Sequence, residues 1–197
     1  NTANRTSVNQ NMGHNWQLSH TENENDFNKL FSRIEKYENI SDNMEVEIAN
    51  YLTRVSDGRL SFESKMEIRE MLREVTEIES IGDSCYNISR TINRKRRCST
   101  DFTEKQYEHI HQMFRLTDEA LTQMIALVED THHVVDVNKS FNLENEINNY
   151  RAQLKDQNII DVNNKAYGYQ MGTHYMDIIG ECEKLGDYVV NVVEAHS

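Results

Sequence analysis

Two twelve-residue stretches, EIESIGDSCYNI at 77–88 and ECEKLGDYVVNV at 181–192, decide how this chain folds. Aligned without a gap, they share Glu77/Glu181, Glu79/Glu183, Gly82/Gly186, Asp83/Asp187 and Asn87/Asn191 at a single offset (183 − 79 = 104). Around them the small and apolar positions recur three and four residues apart, as Ile78, Gly82, Cys85 and Ser89 and again as Cys182, Gly186, Val189 and Val193. That is the period of a helix with one buried face. A helix-forming bias alone does not place five identical polar or glycine residues in register. Glycine inside a helix costs about 1 kcal/mol against alanine, so its return one residue before an aspartate points to close backbone or ligand approach. The chain therefore reads as an internal duplication of helical units.

A second regularity runs through both halves. Glu38/Asp42, Glu79/Asp83, Glu144/Asn148 and Glu183/Asp187 are all spaced by four, and each leading carboxylate follows an apolar-stripe residue: Tyr37, Ile78, Leu143 and Cys182. Residues four apart on a helix stand about 5–6 Å apart at Cβ, so each pair presents two oxygen-bearing groups from one face. Packing the stripes together carries the pairs to the seams between helices. Glu38, Asp42, Glu79 and Asp83 are expected at one seam, and Glu144, Asn148, Glu183 and Asp187 at the other, where the offset is similar (144 − 38 = 106). Unit charges 4 Å apart repel by about 1 kcal/mol in water and about 4 kcal/mol at an effective dielectric of 20. A bundle relieves this by protonating some carboxylates or by binding cations. Oxygen ligands select hard or borderline ions, so divalent or trivalent Fe, Mn, Zn or Mg are the expected occupants. One such pair is an ordinary solvated edge; four in register point to a metal site. Asn148 lowers the charge of the second set and keeps an oxygen donor.

The composition agrees with long helices, having no proline, 7 glycines and 27% charged residues among 197. A net charge of −12 argues against a nucleic-acid partner and in favour of cations or basic protein surfaces. Cys85, Cys98 and Cys182 are odd in number and lack C-x-x-C spacing, which suits a reducing compartment. No apolar run approaches the roughly 20 residues needed to span a bilayer, and no signal peptide is visible. The sequence starts at Asn1 without methionine, which is compatible with a piece of a longer protein.

Residues 1–22 are expected to be a poorly ordered tail or a remnant helix around Val8 to Leu18. Helices are then predicted at about Asp26–Val55, Phe62–Arg96, Thr103–His132, Ser140–Asp156 and Asp161–Ala195. The Asp57-Gly58 stop and the Ser61 cap separate the first two, and Ser99-Thr100-Asp101 offers caps for the third. The result is an all-α antiparallel bundle, with residues 23–98 as one repeat and 99–197 as the other.

Other signals are weaker. Glu108-x-x-His111 and Glu129-x-x-His132 copy the spacing of di-iron carboxylate bundles, but both lie on one helix. His132-His133 reads as a polar helix end. The Arg94 to Arg97 run reads as a solvated terminus, with phosphate or headgroup contact as the minor reading. Cys85 and Cys182 read as core, and Tyr167, Tyr169 and Tyr175 as packing aromatics. No nucleophile triad or glycine-rich phosphate loop appears.

Glu79-Ser-Ile-Gly-Asp83 with Asn87-Ile88, and Glu183-Lys-Leu-Gly-Asp187 with Asn191-Val192, resemble the paired signature of PhoU-like domains, the phosphate-uptake regulators. The resemblance covers about residues 24–195. Glu38 to Leu52, with the Asp57-Gly58-Arg59-Leu60-Ser61 turn, is most similar to the cytoplasmic C-terminal PhoU-like domain of bacterial sodium/phosphate cotransporters. The resemblance implies two three-helix repeats, the first helix of the first repeat being reduced. It also implies metal clusters held by Glu38, Asp42, Glu79 and Asp83 and by Glu144, Asn148, Glu183 and Asp187. The expected role is non-enzymatic regulation of sodium-dependent phosphate transport at the cytoplasmic face of the inner membrane. The partner would be the transporter portion of the same chain or a phosphate transport system, and a homodimer is a further expected assembly. The alternative is a stand-alone PhoU-type adaptor contacting an ABC phosphate transporter or a sensor kinase; the third reading is a di-iron enzyme.

Overall fold

The computed structural model describes residues 12–129 and 137–196, all helix and connecting turn without a strand. Helix α1 covers residues 12–20; it is followed by α2 (Glu24–Ser56), α3 (Phe62–Arg96), α4 (Glu104–Glu129), α5 (Asn138–Asn163) and α6 (Tyr169–His196). The all-α expectation holds, and α3 has the bounds read from the sequence. Local chemistry explains the starts. The Asn23 side chain accepts from the Asn25 and Asp26 amides, and Ser61 Oγ from the Ser64 amide. At α4 the expected Ser99-Thr100-Asp101 caps are replaced by a reciprocal pair. The Gln106 amide donates to Thr103 Oγ1 (3.2 Å) and the Thr103 amide to Gln106 Oε1 (3.0 Å), satisfying two orphan donors at once.

The boundary between the last two helices differs most from expectation. Helix α5 runs on to Asn163, and α6 starts at Tyr169 rather than near Asp161. The Ala166 amide bonds to Asp161 O (2.9 Å) and the Lys165 amide to Val162 O (3.0 Å), a paired helix-end closure whose left-handed residue is Lys165 at φ 59°. Glycine normally marks this position; a lysine there hides the stop. The expected ends of the third helix at His132, and the His132-His133 pair, lie outside the described residues.

Helices α3 and α6 form the centre. Each packs on the other, α2 lies against α3, and α4 and α5 lie against α6 and each other. Ile81, Cys85, Ile88, Ile179, Cys182, Leu185 and Val189 are sealed from solvent, so Cys85 and Cys182 are core as read. The two helices run antiparallel: Arg73 pairs with Glu194 (3.3 Å), Asn191 Nδ2 donates to Glu77 Oε2 (3.0 Å), and Arg94 lies 3.8 Å from Asp177. Part of the repeated signature is thereby explained, because Glu77 meets the second copy's asparagine where α3 packs on α6.

In the N-terminal segment residues 12–20 are helical, and residues 1–11 lie outside the described residues. Met12 and Leu18 are buried, Asn15 Nδ2 donates to Cys85 O (2.8 Å), and Trp16 stacks on His111 with ring centroids 3.9 Å apart. That stacking gives His111 a packing role. The basic end of α3 is not simply solvated, contrary to expectation. Arg96 donates to the Thr21 and Glu22 carbonyls and lies 4.4 Å above the Phe27 ring, while Lys95 pairs with Asp101 and Tyr107. Arg96 thus ties the α1–α2 link, Lys95 ties α4, and Arg94 faces Asp177 of α6, all at the end of α3. Tyr169 also departs from its reading, being 79% exposed, whereas Tyr175 is buried and Tyr167 donates to Asn158 Oδ1 (2.8 Å).

Candidate metal centre

Each seam is built where a glycine lets two helices approach. A Cβ on Gly82 of α3 would meet Ser41 Oγ of α2 at 3.3 Å, and one on Gly186 of α6 would meet Ile147 Cδ1 of α5 at 3.3 Å. Ser41 and Ile147 both stand three residues after the leading carboxylate, Glu38 and Glu144. The duplicated glycine is therefore explained by helix–helix contact. Its effect on chemistry is indirect: close axes hold the acidic pairs beside them near one another.

At the first seam all four expected residues interact. Burial raises the Glu38 carboxyl, and the charges of Asp42, Asp83 and Glu35 add to it. Glu79 is pushed up to about 7, first by burial, then by the charges of Asp42, Glu45 and Asp83, and by a hydrogen bond with Asp42. The Glu79 carboxyl is thereby driven toward its protonated form, which Asp42 stands close enough across the seam to accept from. Asn87 Nδ2 donates to Asp83 Oδ2 at 3.4 Å. Glu38, Asp42 and Glu79 are half-buried, and Asp83 lies at the exposed rim.

Sequence reasoning missed Glu45, which accepts from Thr76 Oγ1 (3.2 Å) and adds a further carboxylate to the seam. It stands seven residues after Glu38 on the same face of α2, the spacing that would have found it. Glu35 at the other end accepts from Tyr86 OH at 3.4 Å.

The second seam assembles the same four positions with different chemistry. Asn148 Nδ2 donates to Glu144 Oε1 at 2.5 Å. Burial raises the Asp187 carboxyl, as do the charges of Glu183 and Glu144, while Arg151 opposes them. Arg151 Nε lies 3.8 Å from Glu183 Oε2. Asn148 Oδ1 and Arg151 Nε are both buried without a hydrogen-bond partner, an acceptor and a donor one turn apart on α5.

The residues of the first seam fit a hard cation by donor chemistry: they are crowded oxygen ligands, and the Glu38 and Glu79 carboxyls are raised by burial and by their neighbours' charges. Among the described residues, no three Asp, Glu, His or Cys side chains already close around one point. An ion there would have to draw the carboxylates together. The second seam, with an amide and a guanidinium inside it, fits a cation less well.

Residues 110–195 match the family model of the PhoU domain, a span that takes in most of α4 and all of α5 and α6 apart from the last residue. The structure is similar to the crystal structure of the phosphate transport system regulatory protein PhoU from Streptococcus pneumoniae. The TM-score is 0.75 at 15% identity, covering 98% of this chain and 89% of that one. No curated protein sequence matches the chain. At that identity the likeness shows the fold, and the chain has the all-helical PhoU-like arrangement expected from its sequence. The matched span lies within the second repeat, and α1, α2 and α3 lie outside it.

Proposed function

We propose that this chain is a non-enzymatic PhoU-type regulatory module of phosphate homeostasis whose first seam binds a divalent or trivalent cation. The observation that carries the cation reading is the Glu38, Asp42, Glu79 and Asp83 cluster, where burial first and then the neighbouring carboxylates push Glu79 up to about 7. A bound ion would replace the proton on Glu79 and neutralise the repulsion across α2 and α3, stiffening that pair of helices. Glu38, Asp42, Glu79 and Asp83 would hold it; Glu45 would hold charge beside it. Support for the phosphate reading comes from the PhoU domain matched by residues 110–195 and the shared fold.

In the finer form of this reading the module is the cytoplasmic domain of a sodium/phosphate cotransporter-like protein. No helix among the described residues is long and apolar enough to cross a membrane, so the transport segments would lie elsewhere in such a protein. A stand-alone adaptor fits the same fold. Reading the coding sequence upstream of Asn1 separates the two, because the first requires transmembrane segments. Phosphate uptake should change when the gene is deleted and return with the intact copy. Unchanged uptake under both phosphate-replete and phosphate-starved growth would reject the regulatory role.

Metal retention provides the direct test. Protein loaded with Mn or Fe and then desalted should keep the ion, and the Glu79→Gln/Asp83→Asn variant should lose most of it by elemental analysis. Equal retention by the two proteins would remove these residues as ligands.

A further inference from the structure

The internal duplication allows the two seams to be compared position by position. At the offset that relates Glu38 to Glu144 and Asp42 to Asn148, Glu45 corresponds to Arg151 (151 − 45 = 106). Both side chains face their seams. Glu45 acts on Glu79 across α2 and α3, and Arg151 acts on Asp187 and Glu183 across α5 and α6. The same place is therefore filled by an anion in one repeat and by a cation in the other.

The charges differ accordingly. Glu38, Asp42, Glu45, Glu79 and Asp83 put five carboxyl groups at the first seam; Glu144, Glu183 and Asp187 put three at the second, beside an amide and a guanidinium. A guanidinium remains charged at any pH the protein experiences and is tethered, so it needs no uptake from solution. Its Nε is already sequestered from solvent.

We infer that Arg151 is the resident cation of the second seam, so that the two seams are unequal: the first takes a cation from solution, and the second is partly neutralised, permanently, by the chain itself. This rests on the reading of the first seam as a cation site. Cation supply would then act on the α2–α3 pair alone, with the α5–α6 pair as a fixed frame.

The test uses the full chain, Mn as the probe, and retained metal as the first readout. Glu79→Gln/Asp83→Asn should lose most of the bound Mn, whereas Glu183→Gln/Asp187→Asn should keep the wild-type load. Arg151→Glu, which copies the first seam's residue into the second, should raise the retained Mn above wild type. Loss of as much Mn from Glu183→Gln/Asp187→Asn as from Glu79→Gln/Asp83→Asn would overturn the inference.

If wild-type protein retains no Mn, the cation reading of the first seam fails and Arg151 is judged separately by metal-free unfolding. Arg151→Met should then lower Tm in the wild-type background and leave it nearly unchanged in a Glu183→Gln/Asp187→Asn background. An equal drop in both would show that Arg151 acts only through packing and would overturn its role as a counter-charge.

Discussion

At Glu79, burial and three neighbouring carboxylates all favour the protonated form, and the consequence for stability has a definite sign. A carboxyl raised to about 7 in the fold and near 4.5 when unfolded stabilises the protein fully below pH 4.5. That contribution is lost as pH rises through about 7, because the folded chain must then ionise a group that the unfolded chain ionises freely. Glu79 is only half-buried, so after allowance for solvent screening the effect is roughly 1 kcal/mol. Metal-free Glu79→Gln should accordingly be more stable than wild type at pH 7.5 and equal to it near pH 4, in urea unfolding followed across that range. A variant less stable than wild type at both ends would show that Glu79 is held by favourable contacts and is not strained. Mn added to wild type at pH 7.5 should raise Tm by removing the same strain, and should do so less in the variant.

The helices carry a contrast in their glycines that a substitution can read. In α6, a Cβ on Gly180 would meet nothing within 4 Å, while one on Gly172 would meet Asn158 Oδ1 and Val162 Cγ2 at 2.9 Å. Gly180→Ala should therefore stabilise the protein by about 0.5–1 kcal/mol through helix propensity alone. Gly172→Ala should destabilise it by about 1–3 kcal/mol, because α5 must move away to admit the methyl group. Thermal unfolding of the two variants checks both signs. The turn before α6 offers a third case. Lys165 occupies a left-handed position at φ 59°, so Lys165→Gly should gain roughly 0.5–1 kcal/mol. The two α6 glycines are told apart by what stands opposite each backbone, and Lys165 by its own backbone angle.

At the scale of the molecule, the repeats share one core because α3 of the first packs directly on α6 of the second. The described parts should therefore unfold together. Trp16, the chain's one tryptophan, reports on α1 against α4, and far-ultraviolet circular dichroism reports on all helices. The two probes should give coincident transitions in urea. Leu185→Ala, in the sealed centre of α6, should shift both by the same amount, about 2–5 kcal/mol. Separate midpoints would mean that the repeats are independent units joined by a chain link. The duplication itself was readable without coordinates, since Glu77, Gly82 and Asn87 recur in register with Glu181, Gly186 and Asn191. What they do was not: Glu77 of α3 accepts from Asn191 of α6, and Gly82 accommodates Ser41.

The sequence alone determined the helices, the duplication and the four acidic pairs, because helical period and residue type are local properties that repeat along a chain. Tertiary structure decided which carboxyls crowd which. It brought Glu45 to the first seam and Arg151 to the second, placed Arg96 against the Thr21 and Glu22 carbonyls, and ended α5 at a lysine where no glycine signals a stop. The physical reason is that charge balance at a seam sums over both helices. A pattern read along one helix gives the donors, and only the partner helix gives the field they experience.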